Sequence, residues 1–124
     1  MRRLRTEGGP RAPERVRNWL QATVQWLPDD LESNLMLLTC ELVNNSVLHG
    51  DVDEHQVIEI ELRATTKGLR ASVTDPGPGF APAGRTREFD EPGGWGLVLV
   101  ERLAASWGVE RDRYTRVWFE LAAA

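Results

Sequence analysis

Cysteine, lysine and long apolar runs are scarce in this chain, and each scarcity excludes something. Cys40 is the single cysteine, so no disulfide can close within the chain. Set between Thr39 and Glu41 in an apolar stretch, it reads as a small packing residue and not as a nucleophile. Lys67 is the one lysine among fifteen basic residues, so any phosphate clamp would be built from arginine or from backbone amides. No stretch approaches the ~20 apolar residues of a membrane span, and no leader-like segment opens the sequence. The expectation is a cytoplasmic protein with no membrane partner. Nineteen Asp plus Glu outweigh the basic residues and leave a formal charge of −4, which argues against a nucleic-acid partner held mainly through its phosphates. A length of 124 residues fits one domain, able to bury about two thirds of its unfolded surface.

What is present is a clear order of elements. Residues 1–12 hold several arginines with Gly8, Gly9 and Pro10 and read as a mobile arm or a short edge strand ahead of a single domain over 13–124. From Glu14 to Leu27 the residues Val16, Leu20, Val24 and Leu27 recur on one face, which predicts an amphipathic helix ended by Pro28. A long second helix is expected from Asp29, with Glu32 three residues on as in a capping box, to Gly50. Ile58, Ile60 and Leu62 alternate with Glu59, Glu61 and Arg63, and Leu69, Ala71 and Val73 repeat the pattern after a turn, so two half-buried strands follow. After a loop rich in Pro, Gly and Arg, Leu97, Val100, Leu103, Ala104 and Trp107 share the face of a third helix, expected to close at Gly108. Strands around 109–111 and 116–121 complete an α+β two-layer sandwich, with helices on one face of a mixed, mainly antiparallel sheet.

Three stretches stand out chemically. In the second helix Glu41, Asn45 and His49 recur at steps of four and drift only ~80° around the axis, beside the apolar stripe of Leu31, Leu35, Leu38 and Leu42. They are either its solvent face or the lining of a polar cavity. Asp75 has the inward parity of Leu69, Ala71 and Val73 and stands before Pro76-Gly77-Pro78-Gly79-Phe80; it either caps that turn or is a buried acid in need of a partner. Gly93-Gly94-Trp95-Gly96-Leu97 leads into a helix start, where free N–H groups and the positive dipole end suit phosphate oxygens. It lacks the third glycine and the preceding strand of a dinucleotide fingerprint. Together the three suit a purine nucleotide with magnesium: a buried carboxylate for the exocyclic amine, an Asn carbonyl for Mg²⁺, and helix-end amides with arginines for the phosphates.

Glu41-x-x-x-Asn45-x-x-x-His49-Gly50, Asp75-x-Gly77-x-Gly79-Phe80 and Gly94-x-Gly96-Leu97 resemble the N, G1 and G2 boxes of the GHKL ATPases, a superfamily with a Bergerat-type sandwich. Trp107-Gly108 and Val117-Trp118-Phe119-Glu120-Leu121 are most similar to stand-alone anti-sigma-factor serine/threonine kinases of the RsbW and SpoIIAB kind. The resemblance implies that Asn45 ligates Mg²⁺, that Asp75 reads adenine, and that Gly77, Gly79, Gly94 and Gly96 line the ATP pocket together with His49, Phe80, Trp95 and Leu97. It implies Glu41 as the catalytic base and Arg85 or Arg87 as a lid contact to phosphate. The implied partners are a STAS-type anti-anti-sigma factor and a sigma factor, with a homodimer as the assembly. A nucleotide-dependent switch without phosphotransfer, or a simple ATPase, is the alternative. Arg116 stands where related sequences usually carry a threonine, and Val98 where the G2 box often has a further glycine.

Overall fold

The computed structural model describes residues 1–48, 52–76 and 95–123. The elements run β1 (Arg2–Glu7), α1 (Ala12–Thr23), α2 (Asp29–Leu48), β2 (Val57–Thr65), β3 (Gly68–Asp75), α3 (Trp95–Leu103), β4 (Ser106–Arg111) and β5 (Thr115–Ala122). The strands form one five-stranded sheet in the order β1-β2-β3-β5-β4, and every ladder in it is antiparallel. With the helices on one face, the architecture is an α+β two-layer sandwich. Among the described residues no helix is long and apolar enough to cross a membrane.

The alternating strands dictate the core. Ile60 faces Val73, Leu62 faces Ala71, and Leu69 and Ala71 face Leu121 and Phe119 across the next ladder. These side chains are buried against Val16 and Leu20 of α1, Leu35, Leu38, Leu42 and Val43 of α2, and Leu97 and Val100 of α3. Each such large aliphatic or aromatic side chain contributes about 1.5–3 kcal/mol by leaving water, so a sheet with one apolar face and the three described helices with their apolar stripes have a strong reason to stack. α2 packs against α1, α3, β3 and β5, which makes it the central element of the helical layer.

Two helix ends differ from expectation. α1 stops at Thr23, yet Val24 and Leu27 remain buried, the Leu27 N–H donating to the Val24 carbonyl at 3.0 Å. A turn presents the same two residues to the core that another helical turn would have presented, so periodicity marked the burial correctly and the backbone wrongly. α3 stops at Leu103, and Trp107 and Gly108 belong to β4. Gly108 is a packing glycine there and not a helix stop: a Cβ on it would lie 2.7 Å from Trp118 Nε1. The capping box is also displaced. The Glu32 N–H donates to the Pro28 carbonyl at 2.9 Å, so Asp29 already lies inside α2, where Asp29, Asp30 and Glu32 act on its positive end.

β1 leaves the sheet through Gly8 and Gly9, whose N–H groups donate to the Gln56 and Val52 carbonyls, each at 2.8 Å. A Cβ on Gly8 would meet the Asp53 carbonyl oxygen at 2.5 Å, and Gly9 has φ +86°, so this crossing needs glycine at both positions.

Candidate functional site

The C-terminal half of α2 meets the end of β3, and a buried polar pair joins them. The Ser46 hydroxyl donates to Asp75 Oδ2 at 2.5 Å, and both residues are 6% exposed. Asp75 therefore takes the inward position that strand parity gave it, the last of the series Leu69, Ala71, Val73, Asp75. Directly across the β3–β5 ladder from it lies Thr115, also buried. A carboxylate at this depth is sustained by donors built into the fold, since an unpaired one would cost far more than the sandwich could spare.

Asn45 precedes Ser46 on α2 and is half-buried. Its Nδ2 is shut off from solvent and has no hydrogen-bond partner among the described residues. An unmade buried hydrogen bond costs about 1–3 kcal/mol, so a polar group of a ligand or of the chain would be favoured at this position. Rotating the amide by half a turn about its last torsion would present Oδ1 at the same point, and a carbonyl oxygen is a ligand suited to Mg²⁺. Among the described residues no cluster of three or more His, Cys, Asp or Glu could hold a metal ion. Mg²⁺ bound beside Asn45 would also rest on the phosphate oxygens of a nucleotide, the usual manner of its binding beside phosphates. Glu41 sits one turn before Asn45 on the same face and is half-buried.

Trp95 and Gly96 are the first two residues of α3. The first N–H groups of a helix have no intrahelical acceptor, which suits them to an anion. The Leu97 side chain, in contrast, lies in the hydrophobic core at 9% exposure. His49, Gly77, Gly79, Phe80, Arg85, Arg87 and Gly94 lie outside the described residues.

Ser46 and Thr115 were not singled out from the sequence, although both carried a signal. Ser46 follows Leu42 by four and Val43 by three, which places a hydroxyl on the apolar stripe; Thr115 has the inward parity of Val117, Phe119 and Leu121. Thr115 is thus the threonine that faces Asp75 across the ladder, one residue before Arg116. Cys40 is half-buried. Burial pushes its thiol above the ordinary 9.0, opposed by the hydrogen bond and charge of Arg17 and reinforced by the Glu41 carboxylate, so on balance the neutral thiol is favoured.

The family model of the histidine kinase-like ATPase domain matches residues 9–121, nearly the whole chain. The chain belongs to the histidine kinase-like ATPase domain family. ATP binding follows from that membership. A comparison with curated proteins returned no match.

Proposed function

We propose that this histidine kinase-like ATPase domain binds Mg²⁺·ATP and transfers the γ-phosphoryl group to a serine or threonine of a STAS-like anti-anti-sigma partner, as a regulatory kinase of the anti-sigma type. The observation that carries the reading is the adjacent pair on α2: Asn45 with a buried amide nitrogen lacking a partner among the described residues, and Ser46 holding the buried Asp75 carboxylate. A carboxylate held in this way is an acceptor for the exocyclic amine of adenine. The amide next to it suits the metal and phosphate end of the same ligand.

The roles then divide along the chain. Asp75 selects an amino-purine, and Ser46 keeps its carboxylate oriented. Asn45 holds Mg²⁺, which when bound neutralises phosphate charge. Glu41 accepts the proton of the incoming hydroxyl as its oxygen bonds to the γ-phosphorus and the bond to the ADP oxygen breaks. An arginine, Arg85 or Arg87, and the free N–H groups of α3 take up negative charge at the phosphates. A sigma factor as second partner and a homodimer as assembly belong to the same reading.

The test is transfer of radiolabelled γ-phosphate from ATP to a purified STAS protein, with wild type and Glu41→Ala side by side. Labelling that is lost in the variant while ATP still binds supports the kinase. ATP binding with no labelling by the wild type would replace it with a nucleotide-dependent switch.

A further inference from the structure

The face of the sheet turned away from the helices carries a constellation that the nucleotide site does not use. In its middle row Arg3, Glu61, Ser72, Trp118 and Gly108 follow one another as cross-strand partners from β1 to β4. Ser72, the small residue at the centre, leaves a hollow of about 140 Å³ above it, walled by Arg63, Arg70, Arg116 and Trp118 together with Met1, Glu61 and Glu110. Although on the outer face, Ser72 is only 7% exposed, and its hydroxyl has no hydrogen-bond partner among the described residues.

The charges around the hollow do not balance. Arg3 binds Glu61 at 2.6 Å and approaches Glu59 at 3.9 Å, Arg116 approaches Glu110 at 3.6 Å, and Arg70 approaches Glu120 at 3.8 Å. Each glutamate of this face is thus engaged by an arginine of its own chain. Arg63 has no carboxylate within ion-pair distance among the described residues, and its direct partner across the β2–β3 ladder is Arg70. Like charges directly opposite one another destabilise a sheet, and this pair sits beside a hydroxyl with no partner among the described residues. Arg70 is, moreover, held in place. Its guanidinium carbon lies 4.1 Å from the Trp118 ring centroid, and the ring is free to lie there because Gly108 has no Cβ to strike it. A stacked guanidinium has lost much of its freedom before anything binds, which lowers the cost of binding.

We propose that this hollow is a docking subsite for a carboxylate carried on an acidic segment of a protein partner. The carboxylate bridges Arg63 and Arg70 and accepts a hydrogen bond from the Ser72 hydroxyl, relieving the like-charge pair and filling the unused donor. A free metabolite fits poorly, because small-molecule pockets run to about 300–1,000 Å³ and enclose most of their ligand, whereas a segment lying along the strands adds contacts beyond the hollow. A second copy of the same face fits poorly as well, since its glutamates are already paired within the chain. The site is independent of the nucleotide reading, because Asp75 lies on the opposite, helix-facing side of β3.

Arginine side-chain and tryptophan indole resonances, followed by NMR on the full chain, test the idea. The probe is the peptide acetyl-Glu-Leu-Glu-Leu-Glu-amide, with its glutamine counterpart as the control. The expected result is saturable shifts at Arg63, Arg70 and Trp118 with the glutamate peptide alone, and half-saturation about tenfold weaker in Arg63→Gln. ATP-induced stabilisation stays unchanged in that variant, which shows that the fold and the nucleotide site are intact. Equal shifts at exposed arginines elsewhere, such as Arg2 and Arg113, would overturn the proposal as diffuse charge attraction. Inorganic phosphate reproducing the same shifts at the same half-saturation would overturn it in favour of a free-anion site.

Discussion

Replacing Ser46 by alanine isolates the contact that joins α2 to β3. The hydroxyl donates at 2.5 Å to a carboxylate oxygen, and both partners are 6% exposed, so water is poorly placed to take over the bond. A hydrogen bond to a charged group contributes about 1.5–3 kcal/mol, and leaving its buried acceptor without that donor costs a similar amount. Ser46→Ala is therefore expected to lower stability by about 1.5–3 kcal/mol, which for a domain of this size is a fall in Tm of roughly 5–15 °C. Chemical denaturation with an unchanged m value measures the loss. In the variant Asp75→Asn the acceptor is neutral, and adding Ser46→Ala to it should cost less than adding it to wild type. The difference is the coupling energy of the pair. A Ser46→Ala protein within about 0.5 kcal/mol of wild type, or a double mutant that is simply additive, would refute the idea that this bond sustains the buried Asp75.

Three further outcomes are expected. Thr39 is fully buried in α2 with an Oγ1 lacking any partner among the described residues, so the isosteric Thr39→Val should raise stability by about 1 kcal/mol in denaturant titrations; a loss of stability would contradict the reading. Gly108→Ala puts a Cβ within 2.7–2.9 Å of three Trp118 atoms, and should cost about 1–3 kcal/mol and shift the Trp118 indole resonance by NMR. The Cys40 thiol is raised above 9.0 in the folded chain, so the neutral thiol is the favoured folded form: its contribution is complete below the unfolded value and is lost as pH rises through the folded one. Stability relative to Cys40→Ala should fall above about pH 9, and Cys40 alkylation should slow on folding; fast alkylation of the native protein at neutral pH would contradict this.

Periodicity conveyed most of this architecture, for a physical reason. In β2 and β3 one face is buried and the other wet, so Ile58, Ile60, Leu62 and then Leu69, Ala71, Val73 announce both the strands and their inward sides, and the same parity carried Asp75 to its buried place. In α2 the stripe from Leu35 to Leu42 did likewise. Backbone path was less legible. Val24 and Leu27 reach the core from a turn as well as they would from a helix, and Trp107 satisfies a helical face and a strand face equally. Gly108 was read as a stop because the residue it makes room for, Trp118, is ten positions away in sequence and adjacent only across the β4–β5 ladder. The site divides the same way. Glu41, Asn45 and Asp75 stand out as polar residues in apolar surroundings, whereas Ser46 and Thr115 are small hydroxyl residues that pass for ordinary core positions until the tertiary contact shows what they face.

The most direct test of the central claim is thermal unfolding with and without ATP and Mg²⁺, on wild type and on Asp75→Asn. A ligand at about 100 times its Kd adds ~2.7 kcal/mol to stability. The account predicts a clear rise in Tm for the wild type and little or none for the variant. No shift in the wild type at millimolar ATP, or an equal shift in both proteins, would contradict the assignment of Asp75 as the adenine-reading residue of an ATP site.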